Sequence, residues 1–361
     1  MYSRKSIPAL RFLFFPFALL YGIVIHIRNF LFDKKILSSN HFPTPTICVG
    51  NVSVGGTGKT PMTELLLSLL HQQYKTATLS RGYKRKTKGF RIANTDTTAD
   101  EIGDEPMQFH TNFPNVLVSV GEDRSHAIQA LQQLSDKPEL IILDDAMQHR
   151  KVKADCNILL TDYSNLFVDD YFLPVGSLRD QRSSSKRANI IVVTKCPSSM
   201  DLAQKKEIEK RIQPRPNQQL FFAAIAYGTP YNIVTKAPYN ISENDKIVAI
   251  AGIAKPQPYF DYLETKSKHI EKTALPDHHD FTEQDIFKIF SNREQANTIY
   301  ILTEKDASKI SSYQHLFINI SAQIYVLPIK CAILYNELDN FYKKVIAVLP
   351  ISNINEQKQT V

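Results

Sequence analysis

The rhythm of apolar and polar positions changes near residue 45. Before it, Phe12 to Ile25 is one apolar run of fourteen residues without a formal charge, extended by His26 and Ile27 as far as Arg28. A full membrane span needs about 20 apolar residues, so this run is short, although Arg11 and Arg28 can snorkel outward at its ends. Pro16 and Gly22 weaken it as a soluble helix. Phe12, Phe14, Phe15, Phe17 and Tyr21 are the ring types favoured near lipid headgroups. The run predicts a membrane-anchoring helix, with spanning and interfacial placements both open. The competing reading is a helix buried against the protein's own body. A cleaved signal is disfavoured, because no small-x-small site follows.

From residue 45 short apolar runs alternate with helical patterns. Thr46–Val52, Thr76–Leu79, Val116–Val120, Leu140–Leu143, Asn157–Leu160 and Ile190–Val193 read as strands. Pro61–Leu70, with Leu65, Leu66, Leu69 and Leu70 on one face, and Glu122–Leu134 read as helices. Continuous apolar strands separated by helices predict a parallel sheet covered on both faces. Gln213–Gln219 is polar and carries prolines, which marks a linker. Further strands are expected at Phe221–Tyr227, Ile247–Ala251, Thr298–Leu302 and Gln323–Leu327, and a frayed end over Asn353–Val361. The expected domains are an anchor with its basic flank (1–40), an α/β core (41–215) and a smaller C-terminal α/β domain (216–361).

Composition narrows the class. The 361 residues are 43% hydrophobic and 22% charged, ordinary for a globular chain and unlike a disordered or polytopic one. Cys48, Cys156, Cys196 and Cys331 are far apart, which excludes a dense disulfide framework or a zinc ribbon and fits a reducing compartment. Of the net charge of +7, residues 1–40 carry +5, from six basic side chains against Asp33. An excess this local favours an anionic membrane surface over nucleic acid.

The strongest chemical signal is Ser53-Val54-Gly55-Gly56-Thr57-Gly58-Lys59-Thr60, which follows a strand and opens a helix. The glycines let backbone N–H groups turn toward phosphate oxygens, and the positive end of the next helix adds to that field. Lys59 is placed to reach the β- and γ-phosphates of a nucleotide, and Thr60 to hold Mg²⁺ through its hydroxyl. Ser53 stands where the usual pattern has its first glycine. The companion is Leu140-Ile-Ile-Leu-Asp144-Asp145, an apolar strand delivering carboxylates to the same sheet edge. Together they predict a P-loop NTPase-like core with a mainly parallel sheet, binding ATP and Mg²⁺.

These segments, with several others, resemble one family: the tetraacyldisaccharide 4′-kinases, or lipid A 4′-kinases. The residues that carry the resemblance are Val49–Pro61, Ser80-Arg-Gly-Tyr83, Gly103-Asp-Glu-Pro106, Glu122-Asp-Arg124, Asp144–Arg150 and Leu173–Arg179. Ala251-Gly-Ile-Ala254, Pro276-Asp-His278 and Thr303-Glu-Lys-Asp306 continue it toward the C-terminus. Ser53 looks normal for the family. Ser177, Lys84 and Ala146 depart from its common residues without removing a functional side chain. The resemblance implies transfer of the ATP γ-phosphate to the 4′-hydroxyl of a tetraacylated glucosamine disaccharide 1-phosphate, giving lipid IV-A. It also implies action on the cytoplasmic face of an inner membrane.

The resemblance further implies that Asp104, partnered by His278, activates the sugar hydroxyl, a poor nucleophile on its own. His279 is an alternative partner, and a helix N-cap is the plain alternative for Asp104. Glu105, Asp144 and Asp145 are the candidate metal-sphere acids, with the direct ligand left open. Arg124, Arg150 and Arg179 suit either phosphate and sugar contacts or ordinary salt bridges, and Arg81 suits the 1-phosphate. Two other readings compete: a membrane-tethered GTPase-like switch, and an ATPase acting as an assembly factor. The first needs an N/T-K-x-D motif; Thr194-Lys-Cys-Pro197 lacks the Asp, and Thr303-Glu-Lys-Asp306 has the wrong spacing.

Overall fold

The computed structural model describes residues 9–277, 279–290, 298–310, 313–317 and 323–350. Eight strands follow one another into the first sheet: β1 (Thr46–Asn51), β2 (Thr76–Ser80), β3 (Arg91–Ile92), β4 (Leu117–Val120), β5 (Leu140–Asp144), β6 (Cys156–Asp162), β7 (Ile190–Thr194) and β8 (Gln219–Tyr227). All six residues of β1 are buried, with Ile47 and Val49 in one apolar layer and Cys48 in the other. A strand buried on both faces belongs in the middle of a covered sheet. One layer is closed by α2 (Lys59–Leu70), through Met62, Leu66, Leu67 and Leu70, and by Phe109 of α4 (Asp104–Asn112), which follows the short α3 (Ala99–Ile102). The other is closed by α5 (Arg124–Gln132) and α6 (Leu202–Ile212). Asp123 caps α5, accepting from the Ser125 and His126 N–H groups.

A second sheet holds β9 (Tyr231–Asn232), β10 (Lys246–Ala251), β11 (His269–Ala274), β12 (Thr298–Thr303) and β13 (Ile324–Leu327), in the order β11-β10-β12-β13-β9. Its helices are α7 (Gln257–Glu264), α8 (Glu283–Phe290), α9 (Glu304–Ile310) and α10 (Gln314–Phe317). The chain then returns. β14 (Ile329–Ile333) pairs antiparallel with β8, and α11 (Leu338–Val348) sets Phe341 and Val345 into the first core. The first sheet therefore runs β14-β8-β7-β6-β1-β5-β2-β4-β3 and is parallel except at its two edges. The polar stretch 213–219 ends α6 and leads straight into β8 of this sheet. The two crossings to the second lobe lie side by side, where Gly228 N donates to Pro328 O at 2.9 Å.

The register of β1 on β5 sets Val49 beside Asp144. The loop after β1 and the aspartates after β5 thus emerge together at the carboxyl edge, where open α/β sheets bind ligands.

The N-terminal helix α1 (Phe15–Asp33) docks along one stripe and exposes the rest. Ala18, Gly22, Asn29 and Phe32 are buried. A Cβ on Gly22 would stand 2.9 Å from the Phe172 ring, so a larger residue would have to displace that ring. Polar ties fix the helix: Tyr21 Oη donates to Arg179 O (3.1 Å), Asn29 Nδ2 to Asp180 Oδ1 (2.7 Å) and Arg28 Nη2 to Gln148 O (2.6 Å). Phe17, Leu19, Leu20, Ile23, Val24, Ile27 and Phe30 face outward. By length and composition the helix could cross a membrane, with a mean hydropathy of 1.5.

The lobes meet where α4 lies against α9. Asn112 Nδ2 donates to Glu64 Oε1 (2.9 Å) and to Glu304 Oε1 (3.1 Å), drawing a carboxylate from each lobe onto one amide. Burial pushes the Glu64 carboxyl from 4.5 up to about 7, and the Glu304 charge adds to this. Burial raises Glu304 as well. The folded state then holds protons that the unfolded chain releases, so stability falls as pH climbs from the unfolded value toward 7. Glu64→Gln keeps the acceptor for Asn112 and removes the charge. It is expected to stabilise the protein by on the order of 1–3 kcal/mol at pH 8 and by little near pH 4. Melting curves at the two pH values check this; an equal or lower melting temperature for the variant at pH 8 would count against the buried charge pair.

Candidate active site

The phosphate loop is braced from three sides. Gly55 and Gly58 have φ of +103° and +81°, and Gly58 is the N-cap of α2. Side chains would be strained at both. Ser53 has no positive φ and forms a β-bridge with Leu178, while Val54 N donates to Ser177 O at 2.7 Å. The serine therefore meets no backbone demand for glycine. At the crown, Asn51 Nδ2 donates to Thr57 Oγ1 (2.7 Å) and Thr194 Oγ1 to Thr57 O (2.8 Å). Lys195 Nζ donates to Gly56 O and also meets Asp162 Oδ2 at 3.1 Å. Thr194 and Lys195, which fall short of a guanine-reading motif, thus serve as struts of the loop.

The two aspartates divide their work. Asp145, at φ +48°, is gripped by Arg179, whose Nη1 donates to Oδ2 at 3.1 Å while Nη2 reaches Oδ1 and Asn51 Oδ1 (2.6 Å for the latter). Lys59 Nζ lies 3.8 Å from Asp145 Oδ2 and is 14% exposed. Burial pushes the Asp145 carboxyl up, but Lys59 and Arg179 outweigh it and hold it below its ordinary value. Asp144 is the opposite case. It is 2% exposed, and Thr63 Oγ1 approaches it at 3.4 Å. Burial, then the charges of Glu105 and Asp145, push it up to about 7 against Lys59 and Arg124. A site with this much unbalanced negative charge suits a cation with oxygen ligands. Among the described residues no three His, Cys, Asp or Glu side chains form a ready cage. Mg²⁺ commonly takes one or two carboxylates and completes its shell with phosphates and water, so the donor set fits it.

Asp104 opens α4, with Gly103 (φ +95°) as the N-cap. A Cβ on Gly103 would stand 3.0 Å from Tyr83 O, which joins the Gly-Asp-Glu-Pro and Ser-Arg-Gly-Tyr segments in one corner. The cap position is thus already taken by glycine. Asp104 Oδ2 pairs with Lys309 Nζ at 3.2 Å, across the lobe boundary. His278 lies outside the described residues. The alternative, His279, turns Nε2 to Asp285 Oδ2 (3.2 Å) within its own lobe.

The arginines separate by role. Arg150 binds α1, donating to Asn29 O (3.0 Å) and Asp33 Oδ1 (2.6 Å). Arg124 is buried and donates through Nη1 to Gly121 O, with Nε and Nη2 lacking described partners. Burial brings it down to about 10, with Arg81 acting in the same direction. Burial and then the two arginines push His149 down to about 4. Arg81 and Arg124 thus form a cationic corner beside the acidic one, with a neutral His149 imidazole against them.

Comparison with known proteins decides the identity. The sequence pattern of the tetraacyldisaccharide-1-P 4′-kinase family matches residues 10–347. The chain belongs to this family. A tetraacyldisaccharide 4′-kinase of Flavobacterium psychrophilum is 47% identical, over 96% of this chain and 99% of its own. That of Porphyromonas gingivalis strain W83 is 40% identical, over 92% and 96%. The crystal structure of LpxK from Aquifex aeolicus in complex with ATP is 31% identical and superposes with a TM-score of 0.73, covering 94% of this chain and 99% of that one. This kinase is therefore a phosphotransferase that uses ATP. Its sequence points to the loop, the two aspartates and Glu105. The struts Asn51, Thr194 and Lys195, the Asp145 clamp by Arg179, and Lys309 emerge only from the fold. Arg179 closes the Leu173–Arg179 segment, which was the one available signal for it.

Proposed function

We propose that this kinase moves the γ-phosphate of ATP to the 4′-hydroxyl of a tetraacylated glucosamine disaccharide 1-phosphate, producing lipid IV-A for lipid A. The carrying observation is the convergence at one sheet edge of a braced phosphate loop, the Lys59–Asp145–Arg179 cluster and a buried Asp144 that feels the charges of Glu105 and Asp145. In this reading the backbone of Ser53–Gly58 cradles the phosphates, and Lys59 balances charge on the β- and γ-groups. Asp145, clamped by Arg179, aims Lys59. Thr60 and Asp144, with Glu105 as a further metal-sphere acid, would hold Mg²⁺, which would supply positive charge against the phosphates. Asp104 takes the proton of the 4′-hydroxyl as its oxygen bonds to the γ-phosphorus and the bond to the bridging β,γ-oxygen breaks, releasing ADP. His278 supports the carboxylate. The Arg81–Arg124–His149 corner suits the anionic 1-phosphate. Incubation with ATP, Mg²⁺ and the lipid acceptor, followed by mass analysis, is expected to show one added phosphate per ATP consumed. ATP loss without a phosphorylated lipid would favour the assembly-factor reading.

The core works at the cytoplasmic face of the inner membrane, held there by α1. Its docked stripe keeps the helix on the core while the outer face enters lipid. Phe17, Leu20 and Val24 are 63%, 62% and 56% exposed and share one side of the helix. Replacing all three by glutamine is expected to cut binding to anionic phospholipid vesicles by about 100-fold or more, at roughly 1.5–3 kcal/mol per apolar side chain. The melting curve is expected to stay in place. Unchanged vesicle co-sedimentation would remove α1 as the anchor.

A further inference from the structure

We propose that Lys309 is a positioning residue for phosphoryl transfer, fixing Asp104 against the second lobe's backbone at His279 where the lobes meet. The proposal rests on Asp104 as the group that accepts the hydroxyl proton. Asp104 belongs to the first lobe, on α4; Lys309 belongs to the second, on α9. Their side chains are 21% and 8% exposed, and Nζ lies 3.2 Å from Oδ2. A lysine this dehydrated has to be matched by protein acceptors. Its second acceptor is His279 O, at 2.9 Å. One ammonium therefore ties the α4 carboxylate to the second lobe's backbone at His279.

The rest of α9 reinforces the arrangement. Lys305, one helical turn earlier, meets Asp277 Oδ1 at 2.9 Å, so lysines at i and i+4 hold residues on both sides of position 278. At the start of α9, Glu304 accepts from Asn112 at the far end of α4 (3.1 Å) and from Ile329 N (3.1 Å). The two helices thus lie antiparallel and are pinned at both ends. Asp306 anchors α9 in its own lobe: it is fully buried, accepting from Gly252 N (2.9 Å) and Thr303 Oγ1 (2.6 Å). The Thr303-Glu-Lys-Asp306 segment reads no base. It opens a helix whose largely buried charges, Glu304, Lys305 and Lys309, bring the two lobes together at Asp104. Asp104 orientation and lobe contact then become one event, and loss of the Lys309 charge slows chemistry more than nucleotide binding.

The test uses the full-length chain with ATP, Mg²⁺ and the lipid acceptor. Lys309→Met is expected to lower kcat by about 10- to 100-fold with the KM for ATP within about threefold of wild type. Lys309→Gln, which keeps a donor for His279 O, is expected to fold like wild type and lose activity similarly. Lys309→Arg is expected to recover at least about tenfold over Lys309→Met. Added to Asp104→Asn, Lys309→Met is expected to cause no further loss. Wild-type kcat in Lys309→Gln, a loss confined to KM, or multiplicative losses in the double variant would overturn the proposal. Asp104→Asn separates the two layers. If it is inactive while Lys309→Gln is fully active, this inference fails alone; if it is active, the proton-acceptor reading fails first and this one with it.

Discussion

Lys59→Ala is expected to abolish phosphoryl transfer while the protein stays folded. Lys59 is the first residue of α2, and its ammonium lies 3.8 Å from Asp145 in a corner that also holds Asp144 and Glu105. Two effects compound when it is truncated. A preorganised donor to the transferring phosphate is lost, worth roughly 3–4 kcal/mol in comparable sites. Three carboxyl groups then face an incoming polyphosphate with one cation fewer, which weakens ATP binding itself. The expected result is a fall in kcat/KM of at least about 10³-fold, with both kcat and KM affected. Helix α2 tolerates the change, because alanine is a good helix former and its core residues Met62, Leu66, Leu67 and Leu70 are untouched. The check is steady-state kinetics beside a thermal melt. A variant within tenfold of wild type would remove Lys59 from the phosphate site. Arg179→Ala offers a graded companion: it frees Asp145 to pair with Lys59 alone, so a smaller loss is expected.

Much of this fold is legible in local pattern, and the parts that are not share a physical cause. β1, β5, β6 and β7 announce themselves as continuous apolar runs because both faces of the sheet are covered. The phosphate loop is legible because backbone curl, positive φ and phosphate charge all act within eight residues. β11 was missed: its sequence, HIEKTA, is largely exposed at an edge and has no apolar alternation to detect. β8, β14 and α11 fall within the expected 216–361 domain yet join the first sheet and its core, because nothing local tells a strand that its partner lies about a hundred residues away. The same limit hid the docking of α1. Tyr21 reads as a headgroup-type aromatic and Arg28 as the snorkelling end of the run, yet they and Asn29 each bond to a group more than a hundred residues away. Arg150 was read as a candidate for phosphate or a salt bridge, and its partner proves to be Asp33 of α1. Side-chain pairs formed by topology leave no spacing signature, so Arg179 on Asp145 and Lys309 on Asp104 required coordinates.

Asp104 and His278 are expected to act as one unit, so their losses should not multiply. A sugar hydroxyl gives up its proton only as the new P–O bond forms, and the group that receives it has to be aimed at that oxygen. Asp104 stands at the start of α4, beyond an N-cap glycine, where the helix fixes its backbone. Asp104→Asn preserves the shape and removes the acceptor; kcat is expected to fall by at least about 10²-fold. ATP affinity is expected to change little, because the phosphate loop is braced by Asn51, Thr194 and Lys195. His278→Ala is expected to cost less, since its task is to support a carboxylate that Lys309 also holds. The double variant should then resemble Asp104→Asn alone, a coupling that a double-mutant cycle measures directly. Strictly multiplicative losses would assign His278 a separate task, such as contact with a substrate phosphate. A large loss of ATP binding in Asp104→Asn would place the carboxylate on the nucleotide side, and the proton-acceptor role would have to be given up.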